Sequence, residues 1–295
     1  CKRSRPLIKI NPMSIQNIPE SFLDSKIQST ELFIYDFKMT EDAVNIKVNL
    51  THNMFSFLQL FEKKVKFEDA NVAVNNKQSV LIKSGNCLMT ELLDNNEIYF
   101  CKLLFFTNKS VINFLKKQAD YISKLEKKSN TETPFFVIEN DAFIHSFVTS
   151  ITTILNLKTD TTLLLEIKLE EILLYLSQKY GISFIHYLQS LASAEKNTTF
   201  KSIVEANINS NLSLTEIAFL ANMSLSTFKR HFSTEYNANP GKWLQQKRLS
   251  LAKNLMVNEN KKPSEIHKQF GYNSLSNFCI AFKNEFGINP KEVKY

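Results

Sequence analysis

The sequence contains little of what membrane proteins and secreted disulfide-rich proteins depend on. Its 295 residues include four Cys, five His, five Gly and one Trp. No apolar run approaches the roughly 20 residues of a membrane-spanning helix, and no basic leader followed by an apolar stretch is recognisable. Cys1, Cys87, Cys101 and Cys279 lack the CxxC spacing of a zinc site. We therefore expect reduced thiols, no membrane contact and a cytoplasmic location.

Patterns of catalytic residues are missing as well. The sequence has no Ser-His-Asp order, no Gly-rich phosphate loop and no HExxH pattern. Its strand-rich N-terminal part holds only His52, whereas a cupin-type enzyme needs two clustered His residues, a Glu and a further His. We expect no enzyme activity, no metal and no cofactor. A cupin-type metalloenzyme fused to a regulator is the alternative, and elemental analysis would detect its metal.

Positive charge is concentrated in the last third of the chain. Residues 197–295 contain 13 Lys and Arg against 7 Asp and Glu, whereas residues 1–196 contain 23 against 22. Most of the net charge of +7 therefore lies in the C-terminal third. This distribution is expected for contact with phosphate groups, although a solvated basic face would also produce it.

The same third contains a repeat with a period of fifty residues. Segments 224–240 and 274–290 are identical at eight of seventeen positions, including two Phe residues spaced four apart. A short helical pattern and a turn precede each repeated segment, which itself begins with a capped second helix; together they predict a helix-turn-helix. Pro240 begins a further helical pattern between the copies. This connecting helix of about 17 residues would span roughly 25 Å.

The paired Phe residues predict which side of each second helix is buried. The opposite sides supply our candidate DNA contacts, which are Ser226, Thr227, Lys229, Arg230 and Ser233 in the first copy and Ser276, Asn277, Cys279 and Lys283 in the second. Three further lysines could position the phosphate backbone; these are Lys242, Lys247 and Lys261.

Residues 197–295 resemble the DNA-binding domain of AraC/XylS-type transcription regulators. The resemblance is carried by Glu216-Ile217-Ala218, by Phe228-Lys229-Arg230-His231-Phe232, by the segment 248–256 and by the closing segment 282–290. It implies double-stranded DNA as a partner, with the two units in successive major grooves roughly 34 Å apart. It also implies contact with RNA polymerase, with activation as the commoner outcome.

Two residues depart from this family pattern. His267 replaces a small Ala in the second unit, so the helix packing there must differ. Ile280 stands where the second recognition helix usually has Arg. We therefore expect the first unit to carry most of the sequence specificity.

The preceding residues predict an α+β multidomain chain. Short β-rich segments in residues 1–130 predict a β-barrel or sandwich, which is similar in pattern to the family's cupin-like sensor domain. Residues 131–196 predict a helical linker and, by the resemblance, a homodimer contact; its candidates are Leu165, Leu169, Ile172, Leu173 and Leu176. Helices that merely cover the strands are the alternative. An all-α double helix-turn-helix domain then fills residues 197–295.

The sequence thus predicts a sequence-specific DNA-binding transcription regulator, and specifically an activator. Its N-terminal domain would sense a small-molecule effector or a partner protein and bias the DNA-binding domain. The alternative is a regulator whose C-terminal domain docks proteins and binds DNA weakly or not at all. The absence of Arg at position 280 favours that alternative.

Overall fold

The computed structural model describes residues 14–22, 31–60, 62–93, 99–124, 133–157, 159–192 and 199–293. The chain divides into two compact units, residues 1–196 and residues 197–295. Within the described ranges, strands occur only in the first unit, and the second unit is built from helices. The predicted fold class, a β-sheet region followed by a helical DNA-binding domain, is confirmed.

Two five-stranded sheets are present in the described part of the first unit. The strands are β1 (Gln16–Ile18), β2 (Leu32–Met39), β3 (Ala43–Leu50), β4 (Asn53–Leu60), β5 (Glu62–Lys66), β6 (Asn71–Val74), β7 (Gln78–Ile82), β8 (Gly85–Leu92), β9 (Tyr99–Phe106) and β10 (Phe135–Glu139). One sheet has the order β1-β3-β8-β5-β6, and the other has the order β10-β7-β4-β9-β2. Strands β1 and β3 are parallel, and the other paired strands are antiparallel.

Strand β4 shows how the layers are arranged. Met54 and Leu58 belong to the apolar cluster that also holds inward residues of the other sheet. Phe55 and Phe57 point to the opposite face and join the cluster formed with the helices. Successive side chains of a strand alternate between faces, so both faces of β4 are buried. The second sheet is therefore the middle layer, which explains the nearly continuous apolar sequence of β4.

Helices of the first unit cover the outer face of this middle sheet. They are α1 (Asn108–Lys117), α2 (Ala119–Ile122), α3 (Ala142–Leu155), α4 (Thr162–Tyr180) and α5 (Ile182–Ala192). Helix α3 begins where Asp141 accepts a hydrogen bond from the Ile144 amide at 3.0 Å. Residues of β10 pair with β7, so this strand completes the sheet although it follows α1 and α2 along the chain.

The second unit consists of six α-helices in its described residues. They are α6 (Phe200–Ala206), α7 (Leu214–Leu220), α8 (Leu225–Tyr236), α9 (Pro240–Glu259), α10 (Pro263–Ile266) and α11 (Leu275–Phe286). The connecting helix α9 has 20 residues and spans about 30 Å. It is longer than the sequence pattern predicts, because it continues past Met256 until Asn260 adopts a left-handed conformation.

Candidate nucleic-acid interface

Helices α7 and α8 form the first helix-turn-helix. Ser213 and Glu216 cap α7 reciprocally, with the Ser213 amide donating to Glu216 Oε2 at 2.7 Å. Asn222 supplies the left-handed turn with a φ of 55°. Ser224 then caps α8 by accepting a hydrogen bond from the Thr227 amide at 3.2 Å. These local interactions fix where α8 begins.

An aromatic cluster fixes the rotation of α8 about its own axis. Phe228 and Phe232 are buried, and their ring centroids lie 6.0 Å apart. Phe200 of α6 packs against Phe228 at 5.2 Å, and Trp243 of α9 packs against Phe232 at 5.4 Å. Because this face is held by two other helices, the opposite face of α8 must point away from the core.

That opposite face carries the predicted DNA contacts of the first helix-turn-helix. Ser226, Lys229, Arg230 and Ser233 are exposed, and Thr227 is partly exposed. Their spacing places them along one side of the helix. In the described part of the chain, neither Lys229 nor Arg230 forms a salt bridge. Both cationic side chains are thus available to an external anion.

The two serines on this face differ in how their hydroxyls are engaged. The Ser226 hydroxyl lies 3.0 Å from the Ser224 hydroxyl, inside the cap of α8. The Ser233 hydroxyl donates to the Ala238 carbonyl at 3.4 Å. The cap at the start of α8 is therefore preorganised, whereas the Ser233 hydroxyl is engaged near the other end of the helix.

Helix α11 repeats this design in the second helix-turn-helix. Ser274 caps it by accepting from the Asn277 amide at 3.2 Å. Phe278 and Phe282 are fully buried, with ring centroids 5.8 Å apart. The exposed face holds Ser276, Asn277 and Lys283, whereas Cys279 is only partly exposed and packs at the edge of the core.

The helix before α11 departs from its counterpart, as the sequence predicts. Helix α10 has four residues, whereas α7 has seven. His267 follows α10 and is nearly buried, and its Nδ1 lies 3.1 Å from the Ser264 carbonyl oxygen and 3.3 Å from that of Pro263. The imidazole therefore occupies the end of a shortened helix, where Ala would leave two carbonyls without this partner.

Helix α9 joins the two helix-turn-helix motifs through buried side chains. Leu249, Ala252 and Met256 belong to the same apolar cluster as Phe278 and Phe282 of α11. At its other end Trp243 packs on α8. Lys242, Lys247 and Lys261 are exposed, consistent with their predicted role on the phosphate backbone.

Arg248 ties α9 to the segment before α7. Its guanidinium donates to the Leu212 carbonyl at 2.8 Å and to the Ile208 carbonyl at 3.1 Å. Burial lowers the pKa of Arg248, and the charge of Glu216 partly offsets that effect. An arginine stays protonated in proteins even so, and the sequence pattern gave no indication of this bracing role.

None of the five candidate dimer residues lies on an exposed surface. Leu165, Leu169, Ile172, Leu173 and Leu176 are all buried in the core of the first unit. Helix α4 also carries an exposed apolar group, namely Leu163, Leu164 and Ile167, with exposed fractions of 74%, 43% and 62%. An apolar pair spaced i, i+4 away from the longer buried stripe is the sequence signal that would have identified this second face.

The interior between the two sheets contains charged groups that sequence patterns did not reveal. Lys63 Nζ lies 2.5 Å from Glu91 Oε1, and both side chains are almost fully buried. Burial lowers the pKa of Lys63, but the charge of Glu91, its hydrogen bond to Lys63 and the nearby Cys101 and Cys87 together outweigh burial, so the pKa lies above its usual value. The pair lines a cavity together with apolar residues of both sheets, including Phe37, Met54 and Met89.

Cys87 and Cys101, the two cysteines in the described residues of the first unit, are buried thiols. Burial raises the pKa of Cys87 to about 12 and that of Cys101 to about 11. Cys1 lies outside the described residues. No group of three His, Cys, Asp or Glu residues that could hold a metal ion occurs in the ranges the structure describes. In the same ranges, every helix is too short or too polar to cross a lipid bilayer.

Comparison with known families supports this description of both units. Residues 217–294 match the family model described as a helix-turn-helix domain. Residues 53–187 match the model described as the ExsA N-terminal regulatory domain. The chain is therefore a DNA-binding transcription regulator with an N-terminal regulatory domain. Its helix-turn-helix domain is of the AraC/XylS type, and the protein-docking alternative is not supported.

Individual relatives extend over much of the chain. The virulence regulon transcriptional activator VirF of Yersinia enterocolitica is 24% identical over 197 residues, which cover 66% of this chain and 72% of the relative. The HTH-type transcriptional activator CfaD of Escherichia coli is 23% identical over 289 residues, covering 87% and 97%. A crystal structure of ToxT from Vibrio cholerae covers 89% of this chain and 97% of its own, with a TM-score of 0.36 and 12% identity.

Proposed function

We propose that α8 and α11 dock in successive major grooves of one DNA duplex. One observation carries the proposal: each helix buries a Phe pair in the domain core and turns the opposite, polar face outward, and both helices pack on α9. A major groove is wide enough to admit an α-helix. The net positive charge of residues 197–295 favours this partner.

Arg230 is the principal base-reading residue in this proposal. Its guanidinium is exposed and unpaired by any acid in the described residues. Arg pairs with O6 and N7 of guanine through two parallel hydrogen bonds. Lys229, Ser226 and Ser233 then contact phosphates or neighbouring bases, and Lys242 and Lys247 position the duplex.

Substitution of Arg230 tests this role. Arg230→Ala should weaken specific binding by about 1–3 kcal/mol and relax base preference at one position. The measurement is a mobility-shift titration on a fragment selected from genomic DNA, with parallel selection of bound sequences. Lys116→Ala removes an equal exposed charge from the first unit and serves as the control. Unchanged affinity and preference in Arg230→Ala would remove Arg230 from the interface.

The outcome of binding is activation of transcription through contact with RNA polymerase, in the cytoplasm. Support comes from the relatives VirF and CfaD, which are both described as transcriptional activators. Transcription in vitro from a selected fragment should rise when the full chain is added to RNA polymerase. A fall in transcript would indicate a repressor instead.

The N-terminal unit biases DNA binding in response to a small molecule or a partner protein. The match of residues 53–187 to a regulatory domain supports this role. The cavity beside Lys63 and Glu91 is the small-molecule site we propose; it has room for about one water molecule here, so a ligand would enter by displacing the side chains that line it. Mass spectrometry of compounds extracted from the purified chain should find one that is lost from Met89→Trp, which fills the cavity. Binding of a partner protein would instead be unaffected by that substitution. If neither an extracted compound nor a partner protein alters DNA affinity, the sensing role is contradicted.

Two chains pair through the exposed apolar residues of α4. Leu163, Leu164 and Ile167 are the surface that supports this homodimer, since the five predicted residues are already covered within one chain. Ile167→Asp should shift the sedimentation coefficient from dimer to monomer. Val44→Asp places the same charge on another exposed apolar residue of that unit and should leave the dimer intact. A monomeric wild-type chain would refute the pairing.

A further inference from the structure

Ile280 occupies a surprising place for an apolar side chain. It lies at the centre of the outward face of α11 and is 60% exposed, although Phe278 and Phe282 on either side are fully buried. The helical spacing puts Ser276 and Asn277 one turn before it and Lys283 one turn after it. An isoleucine is thus presented in the middle of an otherwise polar face.

Packing within the chain does not account for this residue. Cys279 and Ala281 join the apolar cluster of α9 and α11, but Ile280 is not among its members in the described residues. Much of the hydrophobic stabilisation that a buried Ile would give is therefore not realised in the isolated chain. An apolar partner outside the chain would realise it.

The major groove of DNA offers one apolar group on its base edges. Thymine carries a 5-methyl group there, beside hydrogen-bonding groups that suit polar side chains. Asn277 stands one turn earlier on the same face, and Asn is the side chain that pairs with adenine N6 and N7. Both residues therefore favour A·T base pairs under α11.

The corresponding position of the first copy has the opposite chemistry. Fifty residues earlier, the counterpart of Ile280 is Arg230, and the counterpart of Asn277 is Thr227. Arg favours guanine. The two units share a fold and a cap, but they present different reading groups to the duplex. Such a protein would recognise two unlike half-sites in a fixed order, which gives the bound regulator one direction on its operator.

We propose that Ile280 is a specificity-determining residue that contacts the 5-methyl group of a thymine in the half-site under α11. This rests on the proposed docking of α8 and α11 in successive grooves. Recognition by α11 would therefore depend on shape and apolar contact, whereas recognition by α8 in the first helix-turn-helix depends on hydrogen bonds. Absence of Arg at position 280 is then a change in the base recognised, with no loss of recognition.

Deoxyuridine substitution tests the contact, because it removes only the methyl group of thymine. Each thymine of a selected fragment is replaced in turn, and affinities are measured by fluorescence anisotropy for wild type, Ile280→Val and Ile280→Ala. Wild type should lose about fourfold at one thymine, as expected for the burial of one methyl-sized group. Ile280→Ala should show no loss at that thymine, and Ile280→Val should keep part of it. Circular dichroism checks that the variants are folded.

Other outcomes separate this proposal from the docking on which it rests. An equal loss in wild type and Ile280→Ala would assign the methyl contact to another residue and overturn the proposal. A scan without any loss, in a protein that still depends on Arg230, would also overturn it but leave docking through α8 intact. If neither the scan nor Arg230→Ala changes affinity, the docking itself fails.

Discussion

The two helix-turn-helix units agree where they face the core and differ where they face outward. Both have a capping Ser, a buried Phe pair and a left-handed residue that ends the second helix. On the exposed face, Lys229 and Arg230 of the first copy correspond to Cys279 and Ile280 of the second. The fold therefore constrains the inner positions strongly, whereas the outer positions are free to acquire different binding chemistry.

The largest effect should come from the shared inner positions. Phe232→Ala and Phe282→Ala should each lower the free energy of unfolding by about 3–5 kcal/mol, because each opens a cavity in the core. Fluorescence of Trp243, the only tryptophan of the chain, reports urea unfolding of the second unit. Thr234→Ala, at an exposed position of α8, is the control and should change stability by less than about 0.5 kcal/mol. A large effect in only one copy would show that the two cores are not equivalent.

The helix ends should give a smaller effect that distinguishes the copies. Asn237 ends α8 with a φ of 48°, and Gly287 ends α11 with a φ of 74°. Gly287→Ala should cost about 1–2 kcal/mol, because a Cβ is strained in the left-handed region. Asn237→Gly relieves that strain and should be neutral or slightly stabilising. The same urea titration measures both, and a stable Gly287→Ala would contradict the left-handed end of α11.

Exchange of outer chemistry should change binding without changing stability. Ile280→Arg adds a cation at the centre of the α11 face, so affinity for DNA of unrelated sequence should rise. The slope of log affinity against log salt should steepen by about 0.9, the contribution of one further phosphate contact. Anisotropy titrations at several salt concentrations measure this slope. Weaker binding by a folded variant would contradict the outward placement of Ile280 on a DNA-facing surface.

The smallest expected effect is a difference in thiol reactivity between the cysteines of the N-terminal unit and Cys279 of α11. With pKa values of about 12 and 11, Cys87 and Cys101 remain protonated at neutral pH and are buried. Cys279 is partly exposed and should react first with maleimide, at a rate that bound DNA lowers severalfold. Peptide mass spectrometry in a Cys1→Ser background locates the label. Labelling of Cys279 that is indifferent to DNA would place it outside the interface.

The sequence predicted the second unit better than the first for a physical reason. Capping residues and the Phe pairs act over three or four residues, so their patterns are visible within each helix. Strand β5 is hard to recognise from the sequence, because its alternation places a charged residue, Lys63, on the buried face. Its burial becomes tolerable only when β8 brings Glu91 opposite to it, which is a long-range pairing.

The same limitation affects the candidate dimer surface. Helical periodicity identified the apolar stripe that contains Leu169 and Ile172, but periodicity alone does not show whether the same chain or a partner covers a stripe. The structure shows that the chain covers this one itself. The roles of Arg230 and the other proposed DNA contacts stay predictions for the same reason. The structure shows that these side chains are exposed, but exposure does not identify what binds them.

Affinity cleavage tests the central claim most directly. A cleavage reagent is attached through Ser226→Cys or Ser276→Cys, each at the start of a recognition helix, in a chain whose Cys1 and Cys279 are replaced by Ser. On one selected fragment, the two variants should cut at centres about 10 base pairs apart on the same face of the duplex, one helical turn. Cuts that coincide, or cuts from only one of the two helices, would contradict the account of two unlike readers in successive grooves.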